Sequence, residues 1–315
     1  MILSPETIQW LLGSSTPAIR FQTLTDLLGR DANDPEAAAA HAAIMTTGPV
    51  PGILEKQNPS GGWVSDSHYY SPKFRSSHWS MMLLAELGVD GGDARFRLGA
   101  EHMLTVVQKD LERRWQKGDT SWTCFYGNLL RYVFLAGKQD DDRVTLVMRF
   151  CLRALEDGAC RCDYNYGEGC SWGVIRLLWG LAQLPPEART VEVSQAIQRG
   201  VAFMTDRYDL ASANYPTGEG KIHELWSKLS FPLFYHADLL FVLRVLDELG
   251  ELARPGAQTA LDTLAEKRGK NGRWRGGSPF RQRTWAAVGN AEETERWVTL
   301  QAARVLLHAG RLKLE

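Results

Sequence analysis

Apolar segments with a common ending recur along the 315-residue chain, and this repetition constrains its fold more than any other feature. Five of the six segments close on a glycine, which is a common signal just after the last turn of a helix. Because they are apolar over much of their circumference, they predict helices that are buried on two sides. The six segments span residues 18–29, 79–88, 124–137, 170–184, 236–250 and 297–310.

More amphipathic segments with charged faces alternate with the apolar ones. They predict helices over residues 5–12, 36–56, 93–108, 140–155, 190–207 and 256–267. A helix pair of this kind cannot bury its apolar faces alone, so neighbouring pairs must stack.

We therefore predict a single all-α domain over residues 1–315, an (α/α)6 toroid of about twelve alternating inner and outer helices. Residues 1–45 would form an N-terminal helix pair, and residues 46–315 would form the repeat region. An open helical solenoid is the alternative. We favour the closed ring because six hairpins are enough to close it and no polar capping repeat is evident.

Composition excludes several classes of function. The net charge of −1 offers no electrostatic footprint for nucleic acid or for an anionic membrane surface. No apolar run approaches the length needed to span a bilayer, and no basic segment followed by an apolar run marks a signal peptide at the start. The expected location is the cytoplasm, where five cysteines predict metal ligation, catalysis or burial rather than a disulfide framework.

The loop Gln57-Asn-Pro-Ser-Gly-Gly-Trp63 resembles the glycine–tryptophan repeat of squalene cyclases and of protein prenyltransferase β subunits. Asn271-Gly-Arg-Trp274 is a weaker copy, and the alternation of helices over residues 46–315 is similar to that superfamily throughout. The resemblance implies the toroid fold. It also implies two reactions that can be compared with the residues of this chain.

The first of these reactions is acid-catalysed cyclisation by an Asp-x-Asp-Asp motif. The nearest run is Asp140-Asp141-Asp142-Arg143, which lies before an outer helix and fits a helix N-terminal charge better. The second is zinc-dependent prenyl transfer, in which zinc is held by an Asp-x-Cys and by a His that follows a Tyr. Glu168-Gly169-Cys170 and Tyr235-His236 match this arrangement, with Glu168 in place of the aspartate.

The repeat register leads to a metal site independently of the resemblance. Cys124 lies 13 residues before Gly137, His236 lies 14 before Gly250, and Cys170 lies 14 before Leu184. These three residues would therefore meet at one rim of the barrel, where thiolate and imidazole ligands select zinc. Cys162 is the preferred fourth ligand, with Glu168 or a water as alternatives.

Simple burial of these cysteines and a hydrogen-bonded core histidine remain the alternatives to a metal site, with iron–sulfur ligation a minor one. Cys151 fits packing, and Cys160 takes the place of a loop aromatic, so neither is assigned as a ligand.

Other residues in the same loops are candidates for catalysis. His78 precedes an inner helix and is a candidate acid or base, although a stacked loop histidine is the alternative. Asp163 or Glu168 could donate a proton, and Tyr166 could line an apolar pocket with its polar tip, or only fill the barrel mouth. The basic stretch from Arg268 to Arg283 is interpreted as a solvated loop, with anion binding as the alternative.

The sequence thus predicts a zinc-binding, prenyltransferase-like enzyme, a transferase or hydrolase that acts on a small apolar substrate of isoprenoid type. A non-catalytic scaffold with a structural zinc is one alternative. A terpene cyclase that lacks the usual aspartate motif is the other. No nucleic-acid partner is expected, and no partner subunit can be identified from the chain.

Overall fold

A computed structural model describes residues 1–119 and 121–315 and is mostly helical, which confirms the all-α class. Ile2–Leu3 (β1) pairs in parallel with Lys313–Leu314 (β2), so the two ends of the chain lie side by side. The α-helices of the described residues are α1 (Pro5–Leu12), α2 (Pro17–Gln22), α3 (Pro35–Ile44), α4 (Pro49–Leu54), α5 (Ser77–Glu86), α6 (Ala94–Gln116), α7 (Thr123–Leu135), α8 (Asp142–Ala154), α9 (Ser171–Ala182), α10 (Val191–Thr205), α11 (Leu239–Glu248), α12 (Pro255–Glu266) and α13 (Ala291–His308).

Shorter helical turns complete the secondary structure. A π-helical turn, Thr23–Leu27, continues α2 directly. The 3-10 turns are Asp163–Asn165, Pro186–Ala188, Glu224–Ser227, Arg281–Arg283 and Ala286–Val288.

The apolar repeat segments form α2 with its π-helical turn, α5, α7, α9, α11 and α13, which we call the core helices. Most of them begin and end within a few residues of the predicted bounds, and their ends follow the glycine signal. Gly137 and Gly250 take φ angles of 70° and 75°, a left-handed conformation that glycine adopts without a steric penalty.

Two surface helices differ from the prediction. The single helix expected over residues 36–56 is divided into α3 and α4, because Gly48 takes a φ angle of 77° and Pro49 has no N–H to continue the ladder. The helix expected to end at residue 108 continues to Gln116. Buried Leu111 keeps its apolar stripe in the core beyond the predicted end.

The core helices contact one another in chain order. Each of α5, α7, α9, α11 and α13 packs on the next, and α13 packs on α2 and its π-helical turn. The closest approach joins α7 and α9, where a Cβ atom built at Gly127 would lie 2.5 Å from the carbonyl oxygen of Arg176. One hydrophobic cluster runs through the whole chain, from Leu3 to Leu312.

Parallel placement of the core helices gives the molecule two distinct ends. Side chains from the first turns of α7 and α9 line a cavity together with the loops before α9 and α11. Side chains from the last turns of α7, α11 and α13 line a shallower depression at the other end. Among the described residues, no helix combines the length and apolarity needed to cross a membrane.

Candidate functional site

The candidate site is a cavity of about 680 Å³ at the N-terminal ends of the core helices. Its wall is largely aromatic, which favours an apolar ligand whose polar groups could meet hydroxyl and indole tips. The aromatic lining residues are Tyr70, Trp122, Phe125, Tyr164, Tyr166, Trp172 and Tyr235.

Three cysteines from three chain segments line this cavity. Cys124 lies in the first turn of α7, Cys170 is the N-cap residue of α9, and Cys162 lies in the intervening loop. The thiol of Cys170 accepts the backbone N–H of Gly173 at 3.3 Å, a capping interaction that fixes its position at the helix start. Cys162 and Cys170 lie close enough together for each thiol to shift the pKa of the other.

The interaction between Cys162 and Cys170 gives the two thiols different pKa values. The hydrogen bond from Cys170 lowers the pKa of Cys162 to about 6, helped by backbone N–H groups. The same hydrogen bond, together with burial, holds the pKa of Cys170 well above its usual value. Burial and the neighbouring Cys162 raise the pKa of Cys124 to about 11. Cys162 is therefore the thiol that ionises most readily, and a thiolate is the form that binds metal or attacks an electrophile.

His236 lines the same cavity, but from a loop rather than from a helix. The prediction placed it at the start of a core helix, whereas α11 begins at Leu239 with Asp238 as its N-cap. The ring of His236 lies between Tyr235 and Trp172, at centroid distances of 4.0 Å and 4.6 Å. Its Nδ1 is buried without a hydrogen-bond partner. Burial, then the neighbouring His223, lowers the pKa of His236 to about 3, so its ring is neutral and able to ligate.

Of the four catalytic candidates, only Tyr166 lines the cavity. Asp163 and Glu168 lie on the same loop, but both are exposed and outside the lining. The Tyr166 side chain is 76% exposed and packs against Gly218, at whose Cα any side chain would collide with the Tyr166 ring. The tyrosine therefore forms part of the cavity mouth.

His78 is completely buried and does not line the cavity. Its Nδ1 lies 3.2 Å from the hydroxyl oxygen of Tyr132, and its ring stacks on Phe125 with centroids 4.3 Å apart. Burial, with a smaller effect of Arg176, lowers the pKa of His78 to about 3. The structure places this histidine in the wall behind the cavity.

Several residues at the site were not selected from the sequence. Asn165 joins two loops of the mouth, because its side chain donates to the Pro216 carbonyl at 3.2 Å and accepts the Gly218 N–H at 3.0 Å. Lys73 lies 5.0 Å from the centre of the Tyr235 ring and supplies a positive charge to the lining. Neither residue belongs to a motif, so no local signal marked it.

The cavity wall carries the kinds of ligand that zinc binds. Three thiols and an imidazole nitrogen without a partner are the ligand types that zinc prefers. As the side chains stand, however, no group of three or more His, Cys, Asp or Glu residues within 1–119 and 121–315 is arranged to hold a metal ion. The cavity residues therefore match zinc in ligand type and in location, but their side chains would have to rotate to coordinate the ion.

No protein-family model matches this chain, and no curated protein or solved structure matches it either. The candidate site is thus defined by its own residues and their geometry.

Proposed function

We propose that this protein is a zinc-dependent enzyme that acts on a small, largely apolar substrate and is built on a closed α/α toroid. The observation that carries the proposal is the placement of Cys124, Cys162 and Cys170 on the wall of one aromatic cavity. These residues come from separate segments, and packing alone gives no reason for three thiols to gather beside an open cavity.

Contacts between the core helices support ring closure. Each core helix from α5 to α11 packs on the next core helix, and α13 packs on α2. A Cβ built at Gly88, just after α5, would lie 3.8 Å from the Cβ of Ala18 in α2. The paired chain ends are also expected of a ring, since an open solenoid would separate its first and last repeats.

Cys124, Cys162 and Cys170 would hold the metal, and a water or substrate would take the fourth position. The Nδ1 of His236 in that position would instead close the site and make the zinc structural. When bound, zinc would make a coordinated water or substrate thiol a nucleophile near neutral pH. The aromatic lining would hold the apolar part of the substrate and exclude bulk water. Lys73 would attract a negative substrate group at the cavity wall.

We favour zinc chemistry over acid-catalysed cyclisation because the cavity presents thiols, while neither Asp163 nor Glu168 belongs to its lining. The substrate class follows from the lining alone: aromatic rings suit a hydrocarbon chain of isoprenoid type.

Metal analysis of the full-length protein tests this function. Purified wild-type protein should carry about one zinc per chain, and cobalt substitution should give thiolate-to-cobalt charge-transfer absorption. Cys162→Ser and Cys170→Ser should each lower zinc occupancy by 10-fold or more at a fixed chelator concentration, roughly the loss expected for a missing ligand.

Cys151→Ala is the matched control, because Cys151 is fully buried in α8 and does not line the cavity. It should keep the zinc content of the wild type. Wild-type protein that binds no zinc above background, or serine variants that bind it as tightly as the wild type, would refute the proposal.

A further inference from the structure

Lys73 brings a positive charge to an aromatic part of the cavity wall. Its Nζ lies 5.0 Å from the centre of the Tyr235 ring and 5.8 Å from that of Tyr70. In residues 1–119 and 121–315, no carboxylate lies within ion-pair distance of this ammonium group. The aromatic rings attract a cation only weakly, so an anionic group of the substrate would be its stronger partner.

His223 also lines the cavity and can donate a hydrogen bond to such an anion. Its Nδ1 accepts the backbone N–H of Leu225 at 3.1 Å, so the proton of the neutral ring lies on Nε2. The His223 ring centre lies 5.5 Å from that of His236, which in turn lies 4.0 Å from that of Tyr235. Because Lys73 lies over the Tyr235 ring, the donor and the ammonium group belong to one part of the wall.

The charged side chains of the lining limit how much negative charge a substrate can carry. Two lysines, Lys73 and Lys221, and one acid, Glu219, are found among the described lining residues, which leaves one positive charge in excess. Zinc held by three thiolates would add no further positive charge, because three negative ligands surround a divalent ion. A single carboxylate therefore matches the lining, whereas a diphosphate would bring negative charge that no side chain opposes.

A row of aromatic rings extends along the wall from Lys73 to the cavity mouth. The ring centre of Tyr70 lies 5.2 Å from that of Trp122, which lies 6.2 Å from that of Tyr164. Tyr164 is 76% exposed and marks the open end of the row. The row offers an apolar chain a continuous surface that begins at the ammonium group.

We propose that the substrate is an amphiphile with one negative charge, an apolar chain that ends in a carboxylate. Lys73 would bind the carboxylate with His223 as a neighbouring donor, and the rings of Tyr70, Trp122 and Tyr164 would hold the chain. The inference deepens the proposed function and rests on it for the use of this cavity as a substrate site. It does not rest on zinc, because none of these side chains is a proposed metal ligand.

Calorimetric titration of the full-length protein with ligands of one chain length tests this proposal. Decanoate should bind about tenfold more tightly than decanol, the gain expected from one charge-assisted contact. Decyl phosphate, a dianion at about pH 8, should bind no more tightly than decanoate. Equal affinities for decanoate and decanol, or tighter binding of decyl phosphate, would overturn the proposal.

Lys73→Met removes the ammonium group and keeps an unbranched side chain. Its affinity for decanoate should fall about tenfold, to the level of decanol, while its affinity for decanol stays unchanged. Lys228→Met is the matched control and should bind decanoate like the wild type, because Lys228 pairs with Glu224 at 2.8 Å and does not line the cavity. Wild-type affinity for decanoate in Lys73→Met, or an equal loss for both ligands, would contradict a charge contact at Lys73.

The same titrations on protein stripped of zinc by a chelator separate this inference from the zinc proposal. Preference for decanoate over decanol should persist there, and it would support the anion site whether or not metal analysis supports zinc binding. A preference that is present only with zinc would show that the carboxylate binds the metal rather than Lys73, and would overturn the inference.

Discussion

The two ends of the core helices carry different kinds of side chain. At the N-terminal ends, aromatic rings, thiols and the neutral imidazole of His236 line a cavity of about 680 Å³. At the C-terminal ends, a depression of about 490 Å³ is lined by paired charges. Arg131 contacts Glu248 at 2.6 Å there, and His308 contacts Asp247 at 2.9 Å.

The difference shows how burial acts on titratable groups with and without charged partners. At the first end, burial lowers the pKa values of His78 and His236 to about 3. At the second end, burial raises the pKa of Asp247 while its contacts with His308 and Arg304 oppose that rise. The first end is therefore suited to hold reactive neutral groups, whereas ion pairs at the second end connect the helices.

The largest effect is expected from Phe125→Ala at the first end. The Phe125 ring is buried and contacts His78, Trp122 and Tyr126, with the last centroid 5.1 Å away. Its removal should lower the free energy of unfolding by about 4 kcal/mol, since the rigid surroundings cannot fill the space. Urea denaturation measures this.

Phe21→Ala is the control, because Phe21 is only partly buried and packs at the edge of the core. Phe21→Ala should lower the free energy of unfolding by about half as much as Phe125→Ala, or less. Equal losses for the two variants would contradict the view that the aromatic wall around Phe125 is tightly packed.

The next effect concerns acid stability. His78 stays neutral in the folded chain down to its pKa of about 3, whereas the unfolded chain takes up a proton near 6.5. Above pH 6.5 His78 is neutral in both the folded and the unfolded chain, and as pH falls toward 3 proton uptake by the unfolded chain progressively lowers the stability of the fold. This uptake should change the free energy of unfolding by about 1.4 kcal/mol per pH unit between those values.

His78→Gln keeps a side chain that can hydrogen-bond to Tyr132 but cannot titrate. Its stability should therefore depend less steeply on pH than that of the wild type, as measured by denaturation at pH 7, 6, 5 and 4. Parallel curves for the two proteins would show that His78 is not neutral in the fold.

The smallest effect is expected at the second end. Glu248→Gln removes the partner of Arg131, whose side chain is 18% exposed, and should cost about 1 kcal/mol. Because the pair is partly solvated, the loss should shrink in 1 M NaCl. The cost of Phe125→Ala should not respond to salt in this way, and an equal salt response in both variants would remove the contrast between the ends.

The sequence by itself predicted most of the helices and the shared location of the candidate metal ligands. Apolar periodicity and terminal glycines are local signals, and they located α7, α9 and α12 to within a few residues. The register of the repeats also predicted that Cys124, Cys170 and His236 would share one end of the molecule. All three line one cavity. For Cys124 and Cys170 this follows from equal positions at the start of α7 and α9, whereas His236 reaches the cavity from the loop before α11.

Only the tertiary structure decided where individual side chains face. Asp163 and Glu168 face solvent in a loop where Tyr166 takes a φ angle of 55°, and no local pattern specifies that turn. The burial of His78 and the unpaired Nη1 of Arg176 depend on residues far away in the chain. Apolar periodicity indicates which face of a helix is buried. The residues that contact that face are decided only when distant segments pack together.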